Sequence, residues 1–456
     1  MKTSKTSYIK ALAQSLYPYR VKLSWGLASA GMAAAFDVAG PILLKIGIDF
    51  LQQSESIGWL YISTRSILLA AALAGFFRYF GRLNVISVSR FAECDIRNTF
   101  FNHFLKLSPT FYDQNQTGDM MARATEDLER VRMVLGPALL YIVNTILILI
   151  FSAIMMFMLD SIMACVVIGL APILAIVVFF VAKRLHEANI EQQTAYSSLS
   201  SQVQENLSGF RVVKAFVRED HESRKFADVC HEYFLKSMKV AKVQALFMPL
   251  LGTIVGFGIA AILWMGGNRI VLGEMTLGSF IAFMSYLSLM TWPMIALGWM
   301  THLYQRGGAS HFRIKEMLKI PPQFDSEGIN KSIENAFAPE IVFNEVTLTY
   351  ENRNTETLSK VSLTIKSNST IAIVGQVGSG KSSLVRLIPR LYEPNEGNIL
   401  LNGTDIKDLC VDDLRKSVGY VDQSLFLFSA SIRENIAKGR IEASLEEIIQ
   451  SAIVAD

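Results

Sequence analysis

The strongest constraint on this chain is a series of apolar stretches, each near or above the roughly 20 residues that a helix needs to cross a bilayer core. They fall at 24–50, 60–82, 134–159, 161–182, 246–272 and 277–300. Composition agrees, with 51% of residues hydrophobic and only 18% charged, where soluble domains carry about 25% charged residues. Residues 1–320 therefore read as a multi-pass α-helical membrane domain with six spans. Asp37, Lys45, Arg65, Arg78 and Arg82 interrupt or flank the first two stretches. Those helices are expected to line protein or water in part, because a charge facing hydrocarbon is costly.

The connections alternate in length. The turns near 52–59, at Asp160-Ser161 and near 266–276 are short, whereas 83–133 and 183–245 are long, polar and helical in pattern. All the long connections thus lie on one side. Arg90, Arg97, Arg123, Arg130, Arg132, Lys183, Arg184 and Lys242 share that side with the basic tail of Lys2, Lys5, Lys10, Arg20 and Lys22, against little beyond Arg65 and Arg269 opposite. The bias of Lys and Arg toward cytoplasmic loops makes it the cytoplasmic side and places both termini there, in a plasma or inner membrane. The first apolar stretch lacks a small-residue cleavage pattern and is too long for a signal peptide, so it reads as a retained helix. Each long connection also contains a break. One is Leu107-Ser108-Pro109-Thr110-Phe111-Tyr112-Asp113 with Thr117-Gly118-Asp119, the other Glu205-Asn206-Leu207-Ser208-Gly209-Phe210-Arg211. Both look like helix-turn-helix elbows, open to two readings: docking segments or solvated helix caps. The net charge of +3, without a basic stripe, argues against a nucleic-acid partner. Cys94, Cys165, Cys230 and Cys410 match no metal-ligand spacing and are expected to be free and reduced.

From 321 to 340 the chain turns polar and reads as a linker, and a second domain occupies 341–456. Strand character appears at Ile341–Phe343, Val346–Tyr350, Val361–Ile365, Asn398–Leu401 and Val418–Val421. Within it stands Gly375-Gln376-Val377-Gly378-Ser379-Gly380-Lys381-Ser382, which fits the phosphate-binding P-loop pattern. Thr370–Val374 before it reads as a buried strand, and Ser383–Ile388 after it as a helix limited by Pro389. In that order the glycines let backbone N–H groups close around phosphate oxygens. Lys381 reaches the terminal phosphates and the Ser382 hydroxyl can ligate Mg²⁺. The second domain is thus the opening part of an α/β P-loop NTPase fold.

Taken together, these features resemble an ABC exporter half-transporter over nearly the whole chain. Phe343-Asn344-Glu345-Val346-Thr347-Leu348-Thr349-Tyr350 is similar to that family's A-loop, which implies that Tyr350 stacks on adenine. Val418-Gly419-Tyr420-Val421-Asp422-Gln423 resembles its Q-loop, which implies that Gln423 senses Mg²⁺ and the γ-phosphate. The resemblance thus implies an ATP and Mg²⁺ site made by Tyr350, Gly375, Gln376, Val377, Gly378, Ser379, Gly380, Lys381, Ser382, Ser383 and Gln423. Pro109–Asp119 and Asn206–Phe216 resemble coupling segments. The implied partners are a second half-transporter, as homo- or heterodimer, membrane lipid, and an apolar or amphipathic substrate of the drug or lipid type.

The residues up to Ala455-Asp456 do not include the LSGGQ signature, the Walker B aspartate, the catalytic glutamate or the switch histidine of that family. Without them the expectation is nucleotide binding without hydrolysis, in parallel strands with uncovered apolar faces. A truncated membrane protein that only binds nucleotide or a partner, and an ATP-gated channel, are the alternative readings. Phe280, Met284, Leu287, Thr291 and Met294 recur at helical spacing on the sixth span, and Met155, Met156, Met158 and Met163 crowd the third and fourth. They are candidate substrate contacts, or ordinary packing.

Overall fold

A computed structural model describes residues 12–52, 57–324, 339–350, 355–423 and 426–455. The chain divides into two compact units, Met1–Leu105 with Thr117–Pro321, and Lys106–Gln116 with Pro322–Asp456.

The first unit is built of long helices: α1 Arg20–Gln52, α2 Ile57–Phe104, the short α3 Pro109–Gln114 that belongs to the second unit, then α4 Thr117–Leu159, α5 Ser161–Ser208, α6 Phe210–Ala215, α7 Glu219–Val271 and α8 Leu277–Leu318. Each of the six expected spans falls inside one of them, 246–272 reaching the cap residue Leu272 of α7. Among the described residues, Leu12–Gln52, Tyr61–Phe104, Thr117–Leu159 and Glu219–Val271 are long and apolar enough to cross a membrane. At 48 residues α2 is about 72 Å long, more than twice the hydrocarbon thickness. The long polar connections are therefore continuations of the spanning helices.

Local chemistry sets the breaks. Asp160 stops α4 in an extended conformation, and its carboxylate then caps α5 by accepting from the Ile162 and Met163 N–H groups at 3.0 and 2.9 Å. Arg269 near the end of α7 donates to the same carboxylate at 2.8 and 2.6 Å, tying two turns together. The second elbow forms as expected, but its left-handed residue is Val217 (φ 51°), whereas Gly209 keeps φ −89°. Leu207, Phe210, Val212 and Phe216 on that elbow are all exposed.

The core of the unit joins α1, α4, α5, α7 and α8 through Val38, Met156, Met163, Val167, Ile262, Phe283 and Tyr286. Tyr286 is fully buried and its hydroxyl donates to the Val38 carbonyl at 2.9 Å. In lipid no apolar term favours one such contact over an acyl chain, so close packing and buried polar bonds of this kind hold helices together.

In the second unit, β1 Ile341–Leu348, β2 Leu358–Ile365, β3 Glu396–Leu401 and β4 Thr404–Asp405 form an antiparallel sheet in the order β2-β1-β3-β4. Its register runs through Phe343 opposite Leu363 and Ile399. Helices α9 Lys381–Leu387 and α10 Val411–Lys416 complete a core of Phe343, Val346, Leu348, Leu384, Leu387, Ile399 and Leu414, and α11 Ile432–Ile436 and α12 Leu445–Ala455 follow.

The parallel strands expected from the sequence are not seen: every pairing among the described strands is antiparallel. Two expected strands also fail to form. Thr370–Val374 and Val418–Val421 form no strand, and Val374 and Val421 are almost fully exposed. A strand exists only by pairing, and neither run meets a partner strand among the described residues. Of the expected linker, 325–338 lies outside the described residues. Gln323, at its start, instead packs in the second unit, its N–H donating to the Lys106 carbonyl at 2.9 Å.

Candidate nucleotide site and membrane cavity

Gly378 and Gly380 have φ of 87° and 88°, the left-handed region that a glycine enters at no steric cost. A methyl group on Gly380 would also meet the Thr357 carbonyl at 2.8 Å. These two residues turn the loop so that Gly380 caps α9, whose first backbone N–H groups have no partner within the helix. The Lys381 ammonium folds over the loop, 2.9 Å from the Gly375 carbonyl oxygen, 2.7 Å from that of Gln376 and 3.4 Å from Ser379 Oγ.

Around this turn lies a cavity of about 420 Å³ lined by Gly378–Ser383, Tyr350, Thr357, Arg386 and Tyr392, with Thr110, Asp113 and Gln114 from the first elbow, which belongs to the same unit. Ser108 caps α3 by accepting from the Phe111 N–H, and Pro109 supplies its first position, so the elbow is rigid where it meets the cavity. Tyr350 donates to Ser383 Oγ at 3.0 Å and meets Tyr392 edge-on at 5.1 Å. Tyr392 in turn donates to Asp113 at 2.7 Å. Burial first, and then the Asp113 carboxylate, hold the Tyr392 phenol protonated well above the usual range. Arg386 is kept charged chiefly by its hydrogen bond to Tyr420, and Asp422 stands 3.6 Å away.

The structure thus brings together Tyr350 and Gly378–Ser383. Gly375 and Gln376 serve the site through their carbonyls on Lys381, and Val377 is fully exposed at the loop's tip. Gln423 does not line the cavity; it is exposed, with its N–H on the Asp422 carboxylate. Sequence reasoning missed Tyr392, Arg386 and Asp113. Tyr392 and Asp113 are 279 residues apart, with no shared periodicity to pair them. Thr357 was missed too, although its buried Oγ has no hydrogen-bond partner among the described residues. An unpartnered buried hydroxyl beside a cationic, glycine-lined turn fits a polyphosphate ligand. No cluster of three His, Cys, Asp or Glu side chains suited to a metal occurs among the described residues.

The membrane unit holds a cavity of about 750 Å³ bounded by α1, α2, α4 and α8. Tyr141, Asn144, Thr145, Ser285 and Ser288 give it polar positions, and Ile148, Ile281, Met284 and Trp292 apolar ones. Its charged members, Asp37 and Arg78, pair with each other at 2.6 Å. Of the expected substrate contacts, Met284 is among these residues. Met156 and Met163 are fully buried in the core, and Leu287 packs beside Gly258.

Apolar helices of membrane-crossing length, followed in one chain by a phosphate-binding turn, define a nucleotide-binding membrane protein. The family described as ABC transporter transmembrane region matches residues 25–294, and that described as ABC transporter matches residues 358–455. The chain belongs to the ABC transporter family. It is 33% identical over 392 residues, 86% of its length, to the "Probable multidrug resistance ABC transporter ATP-binding/permease protein YheI" of Bacillus subtilis (strain 168), of which it spans 66%. It is 32% identical over 92% of its length to the "Multidrug resistance-like ATP-binding protein MdlA" of Escherichia coli (strain K12), spanning 71% of that protein. It is 28% identical over 98% of its length to the "ATP-dependent lipid A-core flippase" of Desulfotalea psychrophila, spanning 78% of it.

Proposed function

We propose that this chain is an ATP-binding exporter half-transporter that moves apolar or amphipathic compounds, drugs or lipids, outward across the cell membrane as a dimer. The observation that carries the reading is the pairing, in one chain, of a turn of the P-loop pattern with a membrane cavity lined by both polar and apolar side chains. An amphipathic molecule satisfies both kinds at once. The relatives' names, multidrug resistance proteins and a lipid A-core flippase, point to the same substrate class.

In the nucleotide site, Lys381 exchanges its two carbonyl partners for phosphate oxygens, and the N–H groups of Gly378 to Ser383 close around them. Tyr350 offers its ring to adenine. Ser382 is the residue that would hold Mg²⁺, with the nucleotide's own phosphates supplying further oxygens. Gln423 reaches the ion only by moving toward the cavity. The wall formed by Thr110, Asp113 and Gln114 makes the first elbow part of the site, so nucleotide capture is felt directly by a segment that runs into the spanning helices.

Filling the membrane cavity tests the substrate reading. Ser288 is exposed and lines it, so Ser288→Trp is expected to fold normally. In lipid it should weaken binding of a fluorescent amphipathic cation, followed by polarisation, about tenfold, in line with the loss of one well-placed contact. Undiminished dye binding would place the substrate elsewhere.

The orientation proposed for the spans is tested by labelling in a cysteine-free background. A cysteine replacing Gly273 should react with an impermeant thiol reagent in intact cells. One replacing Gln116 or Gly209 should react only after permeabilisation, and the opposite pattern would invert the topology.

A further inference from the structure

A second membrane-facing concavity, apart from the one assigned to substrate, lies where the chain enters its first span. It measures about 610 Å³ and is lined by Pro18, Tyr19, Val21, Lys22, Trp25 and Ser29 at the start of α1 and by Phe76, Phe77, Phe80 and Asn84 on α2. Its surface is mostly aromatic carbon, and Trp25 and Phe76 leave 68% and 56% of their surface uncovered. The floor is preformed. Side chains on Gly26 and Gly81 would collide with Val85 and with the Ala30 backbone at 2.8 and 3.1 Å. The two helices therefore approach closely at two levels along the groove. Phe36 stacked on Phe77 at 5.8 Å closes its inner end.

The rim carries one cation, Lys22. Lys22 lies over the Phe91 ring at 4.9 Å, and Arg20 over that of Tyr17 at 4.7 Å, donating also to its hydroxyl; neither meets a carboxylate among the described residues. Tyr19, which also lines the groove, donates to Asp95 at 2.7 Å. A groove of aromatic carbon on a membrane-spanning hairpin, with one cation, Lys22, among its lining residues, is complementary to an acyl chain ending in an anionic headgroup. We propose that this groove binds one anionic phospholipid, its acyl chain over Trp25, Phe76 and Phe80 and its phosphate on Lys22. The site would hold the entry of α1 to α2 and make the unit's stability depend on acidic lipid.

Trp25 reports on the site directly. In a chain keeping Trp25 alone of its five tryptophans, brominated phosphatidylglycerol is expected to quench its fluorescence at about fivefold lower mole fraction than brominated phosphatidylcholine, the preference one basic residue confers near a membrane surface. Lys22→Glu should abolish the preference and Lys22→Arg should retain it. The unaltered chain, released from mixed-lipid nanodiscs into native mass spectrometry, should carry one anionic lipid that Lys22→Glu loses. Equal quenching by the two lipids would reduce the groove to ordinary lipid contact. Absence of quenching by either would mean that protein, such as residues 1–11, covers it. Either result overturns the proposal.

Discussion

Replacing Lys381 by alanine is expected to lower the affinity for a fluorescent ATP analogue about 10- to 150-fold, the range for losing a hydrogen bond to a charged group. The ammonium is the charge that crosses the loop at the cavity, and its recorded partners are two backbone carbonyls and one hydroxyl of the same turn. Those acceptors are exposed and return to water in the variant, so stability should scarcely change. Lys381→Arg is expected to recover only part of the affinity, because a planar fork cannot pass between the Gly375 and Gln376 carbonyls as a compact ammonium does. The measurement is a titration of the full chain in lipid, with thermal unfolding as control. Equal affinity in Lys381→Ala and parent would remove the phosphate-binding assignment, whereas lost affinity with lost stability would indicate a folding defect.

This site was legible in the sequence because its chemistry demands residue types at fixed spacing. Two left-handed glycines, a lysine and a hydroxyl admit few substitutes, and they stand where the pattern requires. The first elbow was legible for a similar reason, since Ser108 before Pro109 is a helix-start signal that the structure uses as one. The run 370–374 carries the composition of a strand, yet pairing is a property of two segments and composition reports on one. The methionines of the third and fourth spans show the converse limit: composition marks Met156 and Met163 as apolar side chains on two successive helices, but only packing decides that both lie in the core. Asp37 and Arg78 were marked as lining protein or water. Their pairing with each other across α1 and α2 depends on a helix register that no local pattern reports.

Long-range polar contacts are the least legible feature, and one of them carries the second large prediction. Asp127 is 4% exposed and sits in a π-helical turn of α4, Arg123–Asp127. Its carboxylate accepts from Ser310 at 2.9 Å and from Arg313 Nε at 2.8 Å, with a second, shorter contact to Arg313 Nη2; Arg130 lies 3.6 Å away. One carboxylate thus ties α4 to α8, and nothing in the sequence pairs positions 186 residues apart. Removing one member of such a pair leaves the other's charge unmatched, and Ser310, fully buried, loses its acceptor. Asp127→Ala is therefore expected to destabilise the membrane unit by about 1–3 kcal/mol, less than for a wholly buried pair because Arg313 is 39% exposed and its freed guanidinium is partly hydrated. Asp127→Asn, which keeps an acceptor oxygen, should cost less. The double variant Asp127→Leu with Arg313→Met should recover much of the loss, because an apolar pair of similar volume leaves no charge behind. Thermal unfolding in lipid measures all three, with ATP-analogue affinity as the control that should stay constant. If Asp127→Ala melts with the parent, the α4–α8 tie is a surface contact and the junction is held by its apolar neighbours alone. If the double variant is as unstable as the single one, the cost lies in packing at the π turn and not in the unpaired guanidinium.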